Sequence, residues 1–84
     1  MYFTYILRCA DDTLYTGITT DIERRVFEHN HTDKGAKYTK IRRPVKLVYQ
    51  EQYDSRSEAS KQEYAIKQMT KKEKLHMIET SLSD

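Results

Sequence analysis

The sequence predicts an α+β domain of order ββαβαα, a three-stranded antiparallel sheet flanked by helices. Three observations predict it. Residues 2–9, YFTYILRC, and 14–19, LYTGIT, are rich in aromatic and β-branched types and are separated by the turn Ala10-Asp11-Asp12-Thr13. A third such run, Val45 to Tyr53, opens at Pro44. Three Ser/Thr-x-x-Glu boxes, Thr20 to Glu23, Ser55 to Glu58 and Thr70 to Glu73, each stand before residues with helical apolar spacing.

In the first strand Phe3, Tyr5, Leu7 and Cys9 share one face, and Tyr2, Thr4, Ile6 and Arg8 the other. Tyr5 and Tyr15 meet on one face of the hairpin only if paired residue numbers sum to an even value, as with Cys9 opposite Tyr15. The first helix is expected from a cap at Thr20 or Asp21 to about Asn30. At about 100° per residue, Ile22, Arg25, Val26 and His29 share its inner face, and Arg24 points away. Residues 31–43 read as a basic loop containing Gly35. Val45, Leu47 and Tyr49 alternate in the third strand. The longest helix runs from Ser55 to about Met69, with Ala59, Glu63 and Ile66 on one face. The last begins at Thr70 and turns Leu75, Ile78 and Leu82 inward, and the tail Ser83-Asp84 is expected to fray.

The 84 residues suffice for one domain, 1–84, with a single core. Charged residues are 33 % and apolar ones 37 %, and no apolar run reaches the roughly 18–20 residues of a membrane span. The start MYFTYILRC lacks a basic leader and a small-residue cleavage site. The single cysteine, Cys9, excludes an internal disulfide framework and reads as a small buried hydrophobe; a cytoplasmic location is the expectation. Net charge is only +2, but residues 33–46 carry Lys34, Lys37, Lys40, Arg42, Arg43 and Lys46 against Asp33. Such a field attracts phosphate, although a charge run by itself is more often a solvated loop. Tyr38 among these cations is placed to stack a base, or to anchor the loop.

Two side chains stand out. Arg25 and His29 border the apolar stripe one turn apart; a half-buried arginine is ordinarily an ion-pair partner. Glu63 falls on an apolar helix face, where an unpaired carboxylate is costly. A zinc site at His29 and His31 is disfavoured, because the two diverge and no cysteine or acid cluster completes a tetrahedron.

With these residues the sequence resembles the GIY-YIG nuclease superfamily, in particular its small single-domain bacterial members, over nearly its whole length. Thr4-Tyr5-Ile6 stands in place of Gly-Ile-Tyr, and Tyr15-Thr16-Gly17 keeps the tyrosine and glycine of the second motif. Arg25 follows Tyr15 by ten residues, His29 follows one turn later, and Glu63 matches the glutamate of the long helix. The resemblance implies a GIY-YIG endonuclease-like fold and phosphodiester hydrolysis assisted by one divalent metal, Mg2+ or Mn2+. Glu63 would hold that metal through one carboxylate. Arg25 would meet the phosphate. Tyr5 or Tyr15 would orient or deprotonate water, His29 would share the proton relay or bond a tyrosine, and Gly17 would allow a close approach. Which group is the base stays open. The asparagine that larger members carry after the long helix is missing; the only one here is Asn30, so that contact is absent or taken by another residue such as Thr70.

The expectation is a metal-dependent endonuclease-like domain acting on nucleic acid, DNA before RNA, with little sequence specificity and no membrane association. Lys37, Tyr38, Lys40, Arg42 and Arg43 are the expected nucleic-acid contacts. The alternatives are a binding module of the same fold with little or no catalysis, and a protein-interaction domain.

Overall fold

The computed structural model describes residues 1–82. In chain order the elements are β1 (Tyr2–Arg8), β2 (Leu14–Thr19), α1 (Ile22–His31), α2 (Lys37–Lys40), β3 (Lys46–Tyr53), α3 (Arg56–Lys67) and α4 (Lys71–Leu82). The strands form one antiparallel sheet in the order β2-β1-β3, with β1 in the centre. The expected three-stranded sheet with flanking helices is therefore the fold. The fraying expected of Ser83 and Asp84 lies outside the described residues.

In the hairpin Tyr5 stands opposite Gly17 and Leu7 opposite Tyr15. Paired numbers sum to an even value, so Tyr5 and Tyr15 share a face, although Tyr15 meets Leu7 rather than Cys9. The turn closes with Asp12 in the left-handed region (φ 68°), a conformation that aspartate tolerates better than most residues.

Alternation along β1 feeds two cores on opposite faces of the sheet. Tyr5, Leu7, Cys9 and Val45 pack with Tyr15, Ile22, Val26 and Leu47 beneath α1. Ile6, Tyr49, Ile66 and Ile78 pack with Leu14, Val48, Met69 and Met77 beneath α3 and α4. Tyr49 departs from the alternation expected with Val45 and Leu47. A β-bulge between the Ile6 and Leu7 pairings inserts one residue into β3, so Leu47 pairs with Leu7 while Tyr49 pairs with Ile6 on the other face.

Three helix ends follow the sequence closely. The Asp21 carboxylate accepts from the Arg24 amide, so Asp21, not Thr20, caps α1. The Ser55 hydroxyl accepts from the Glu58 amide at 3.2 Å. The Thr70–Glu73 box is reciprocal, at 3.2 and 2.9 Å. Thr70 is thus occupied as a helix cap. Leu82, expected inward, is 76 % exposed on the last turn of α4. Residues 37–40 of the expected loop form the short helix α2, which begins at Ala36 without a side-chain cap.

Candidate nuclease site

The site is built on the α1 face of the hairpin. Tyr5 lies across Gly17 of the edge strand: a Cβ at residue 17 would stand 2.6 Å from the Tyr5 hydroxyl and 2.8 Å from Cζ. Glycine is required there by contact, not by backbone conformation, because its φ is not positive. The cleared space lets the Tyr5 hydroxyl reach His29, whose Nε2 lies 2.8 Å away. Tyr15 sits beside both, with ring centroids 6.5 Å from Tyr5 and 5.2 Å from His29. The helical spacing that put Ile22, Val26 and His29 on one face carries the imidazole into full burial, while Arg24 is exposed.

Burial sets the charge states. Desolvation pushes the Tyr5 phenol up to about 12, and neighbouring Tyr15 adds to it; a hydrogen bond and positive charge from Arg25 oppose, and Glu63 raises it further. Desolvation also pushes the His29 imidazole down to about 4; the charge on Arg25 adds to this, Glu28 opposes it and Arg43 adds again. At neutral pH the pair is a phenol and an uncharged imidazole. Arg25 is near enough for its charge to act on Tyr5, and it is steered by two bonds from Nη1, to Glu28 Oε1 at 3.0 Å and to the Lys34 carbonyl at 2.8 Å.

Glu63 is near enough for its charge to act on Tyr5, but it is neither fully buried nor unpaired as its apolar neighbours suggested. Its side chain is 25 % exposed and lies 3.4 Å from Lys67, one turn along α3. Among the described residues no three His, Cys, Asp or Glu side chains gather to hold an ion. A lone carboxylate with access to water still suits Mg2+, which keeps most of its shell as water and takes one or two carboxylates. Both ring nitrogens of His29 are engaged in protein hydrogen bonds, and His31 is exposed on the far side beside Phe27, which disposes of a paired histidine site.

The basic segment is more structural than its composition suggested. Tyr38 stacks on Tyr15, centroids 6.1 Å apart at 27°, and Arg42 lies 3.8 Å from the Tyr38 centroid. Arg42 is fixed by Asp11 Oδ2 at 2.9 Å and by the Tyr38 carbonyl at 2.9 Å. Arg43 turns inward to the end of α1, with Nε donating to His29 O at 2.6 Å and Nη2 to Thr32 O at 2.5 Å. Asn30 is likewise occupied: its side-chain amide exchanges two hydrogen bonds with the Val45 backbone, at 3.0 and 2.7 Å. Lys37 remains exposed and Lys40 partly so. Sequence reasoning missed Thr39, fully buried against His29, because a threonine in a basic loop has no periodic signature. The small pair Gly35-Ala36 just before it was the available signal, since a Cβ at Gly35 would come within 2.9 Å of the α1 backbone.

Tyr5, Tyr15 and His29 thus meet at one glycine-cleared edge, with the charges of Arg25 and Glu63 close enough to act on Tyr5, and comparison with known proteins places the chain in a family. The family model described as the GIY-YIG catalytic domain matches residues 1–76. The chain belongs to the GIY-YIG family. A UPF0213 protein of Desulfotalea psychrophila is 59 % identical over 80 residues, covering 95 % of this chain and 73 % of that one. A UPF0213 protein of Staphylococcus epidermidis is 58 % identical over 78 residues, covering 93 % and 94 %. Among solved structures, a UPF0213 protein of Bacillus halodurans matches with a TM-score of 0.61 at 40 % identity, covering 95 % of this chain and 85 % of that one. A protein of E. faecalis matches with 0.67 at 42 %, covering 99 % and 88 %. GIY-YIG membership implies nuclease-type chemistry on nucleic acid in general. No helix among the described residues is long and apolar enough to cross a membrane.

Proposed function

We propose that this GIY-YIG domain hydrolyses phosphodiester bonds in DNA with little sequence specificity, using one divalent ion, Mg2+ or Mn2+, held by Glu63. The observation that carries the reading is the buried 2.8 Å contact between Tyr5 and His29, with Arg25 and Glu63 both acting on the Tyr5 hydroxyl. A bound ion supplies Lewis acidity at the phosphate and charge compensation at the leaving oxygen. The remaining work belongs to side chains. Arg25 offers a planar, permanently charged fork to the phosphate. Tyr5 receives the proton of attacking water as its own passes to Nε2 of His29, which is neutral at pH 7 and free to accept it. Tyr15, against both rings, fixes their orientation. Lys37 and Lys40 meet backbone phosphates, with Tyr38, Arg42 and Arg43 shaping the surface behind them. Contacts of that kind position a substrate without reading its sequence.

A second reading, a binding module of the same fold with little catalysis, is favoured by the pKa of Tyr5, which is a poor base as long as it stays near 12. The deciding experiment is cleavage of labelled single-stranded, duplex and branched DNA with Mg2+ or Mn2+, beside Glu63→Ala. Cutting by the wild type alone supports the nuclease. Intact DNA with both proteins, together with salt-sensitive binding, supports the module. Absence of binding at low salt rejects both.

A further inference from the structure

We infer that Thr39 is a positioning residue that fixes the tautomer of His29, so that Nε2 faces Tyr5 as an acceptor. Its catalytic consequence rests on the nuclease reading; the tautomer itself does not. The direction of the hydrogen bonds is set from the Thr39 end. At one end the hydroxyl of Tyr5, a residue only 1 % exposed, lies 2.8 Å from His29 Nε2. Nε2 can take the phenol proton there only if it carries a lone pair. At the other end the Thr39 hydroxyl donates its single proton to the Ala36 carbonyl at 2.9 Å, the back-bond common for threonine in a helical turn. Its oxygen is then free to accept from Nδ1–H of His29 at 2.8 Å. The Thr39 end selects the tautomer protonated on Nδ1, and that tautomer leaves Nε2 as the acceptor that Tyr5 faces. The Ala36 amide also points at Nδ1, from 3.5 Å, the outer limit of a hydrogen bond, and is outweighed by the 2.8 Å contact.

The proton bookkeeping shows why this matters. With Nδ1–H held by Thr39, Nε2 can take the Tyr5 proton, and the resulting imidazolium still has an acceptor at each N–H. In the other tautomer Nε2–H donates to Tyr5, and the phenol proton has no base. Several parts of the segment after α1 hold Thr39 against His29. Gly35 presses on the backbone of Glu28 and His29, Ala36 starts the turn, and Arg43 ties the chain back to the end of α1.

The test is a long-range 1H–15N spectrum of the imidazoles in the full chain, in wild type, Thr39→Val and Thr39→Ser, alongside DNA cleavage. Wild-type His29 is expected to show a protonated Nδ1 and an unprotonated Nε2. Valine should abolish that preference and slow cleavage by about tenfold or more, by analogy with the loss when hydrogen-bond partners that orient metal-ligating histidines are removed. Serine should restore both. A protonated Nε2 in the wild type overturns the inference, as does an unchanged tautomer in Thr39→Val; where valine prevents folding, the wild-type and serine spectra decide. If the stated tautomer is found in a protein that cuts no DNA, the nuclease reading fails and the Thr39 assignment stands.

Discussion

The Tyr5 hydroxyl and Nε2 of His29 lie 2.8 Å apart, and both residues are closed off from solvent. One comes from the central strand and the other from the end of α1, 24 residues later, so hairpin register and helix phase must both be right for them to meet. Burial drives their proton affinities in opposite directions, to about 12 and about 4. Each shift favours the uncharged form. The pair is therefore stored neutral.

Stability should fall on acidification because of His29. Its folded pKa of about 4 lies below the 6.5 of an unperturbed imidazole, so the unfolded chain binds more protons between those values. The contribution is complete above pH 6.5 and is lost as pH falls towards 4, with a ceiling of about 3 kcal/mol. Urea melts at pH 7 and pH 4.5 are expected to show a smaller loss for His29→Gln than for the wild type. Equal losses would assign the acid sensitivity to other groups.

Gly17→Ala should disable the site while leaving the fold intact. The new methyl must displace the Tyr5 ring from 2.6 Å, and that moves the hydroxyl away from His29. Overpacking of this kind costs about 1–3 kcal/mol. A displacement near 1 Å at a reacting group costs on the order of 10²-fold in rate. Thermal melts and cleavage rates measured together check both numbers; wild-type cleavage in the alanine variant would remove Tyr5 from the chemistry.

Much of this arrangement was legible in the residues. The even register that the site requires is the one the hairpin adopts, and two of the three capping boxes form where the Ser/Thr-x-x-Glu spacing placed them, with Asp21 taking over the first. The α1 face was legible too, because Ile22, Val26 and His29 recur at the helical period. What escaped has physical reasons. A bulge in β3 changes the phase of Tyr49 without altering composition, so alternation alone misassigns it. The turn 37–40 has no side-chain cap to announce it. The inward turn of Arg43 depends on three-dimensional proximity to the α1 carbonyls, which a run of cations does not encode. Glu63 was located on the right face, but its pairing with Lys67 depends on how far that face rotates from the core.

Glu63→Gln should separate stability from activity. The ion pair with Lys67 is an (i, i+4) contact on a partly exposed helix face. Such pairs contribute about 0.3–0.5 kcal/mol, so in metal-free protein the substitution should shift the urea midpoint very little. Glutamine lacks the charge a divalent ion needs, so Mn2+-dependent cleavage should vanish. A loss above about 1 kcal/mol without metal would make Glu63 a structural residue instead.

The cations between residues 34 and 43 should divide into two classes. Lys37 is exposed on α2, free to release counterions when it meets a phosphate. Lys37→Ala is expected to weaken DNA binding uniformly across sequences and to reduce the slope of log affinity against log salt by about 0.9 on duplex DNA. Arg43 spends Nε and Nη2 on the carbonyls of His29 and Thr32, with Glu28 O a further 3.5 Å contact. Arg43→Ala removes the donor from the carbonyl acceptors at the end of α1, and hydrogen bonds from a charged donor are worth about 1.5–3 kcal/mol. It should therefore lower the urea midpoint and loosen His29, while the salt slope at a temperature where the variant stays folded remains that of the wild type. Salt titrations and urea melts on the two variants give four numbers. A salt slope reduced by Arg43→Ala as much as by Lys37→Ala would mean that its guanidinium leaves α1 to bind phosphate.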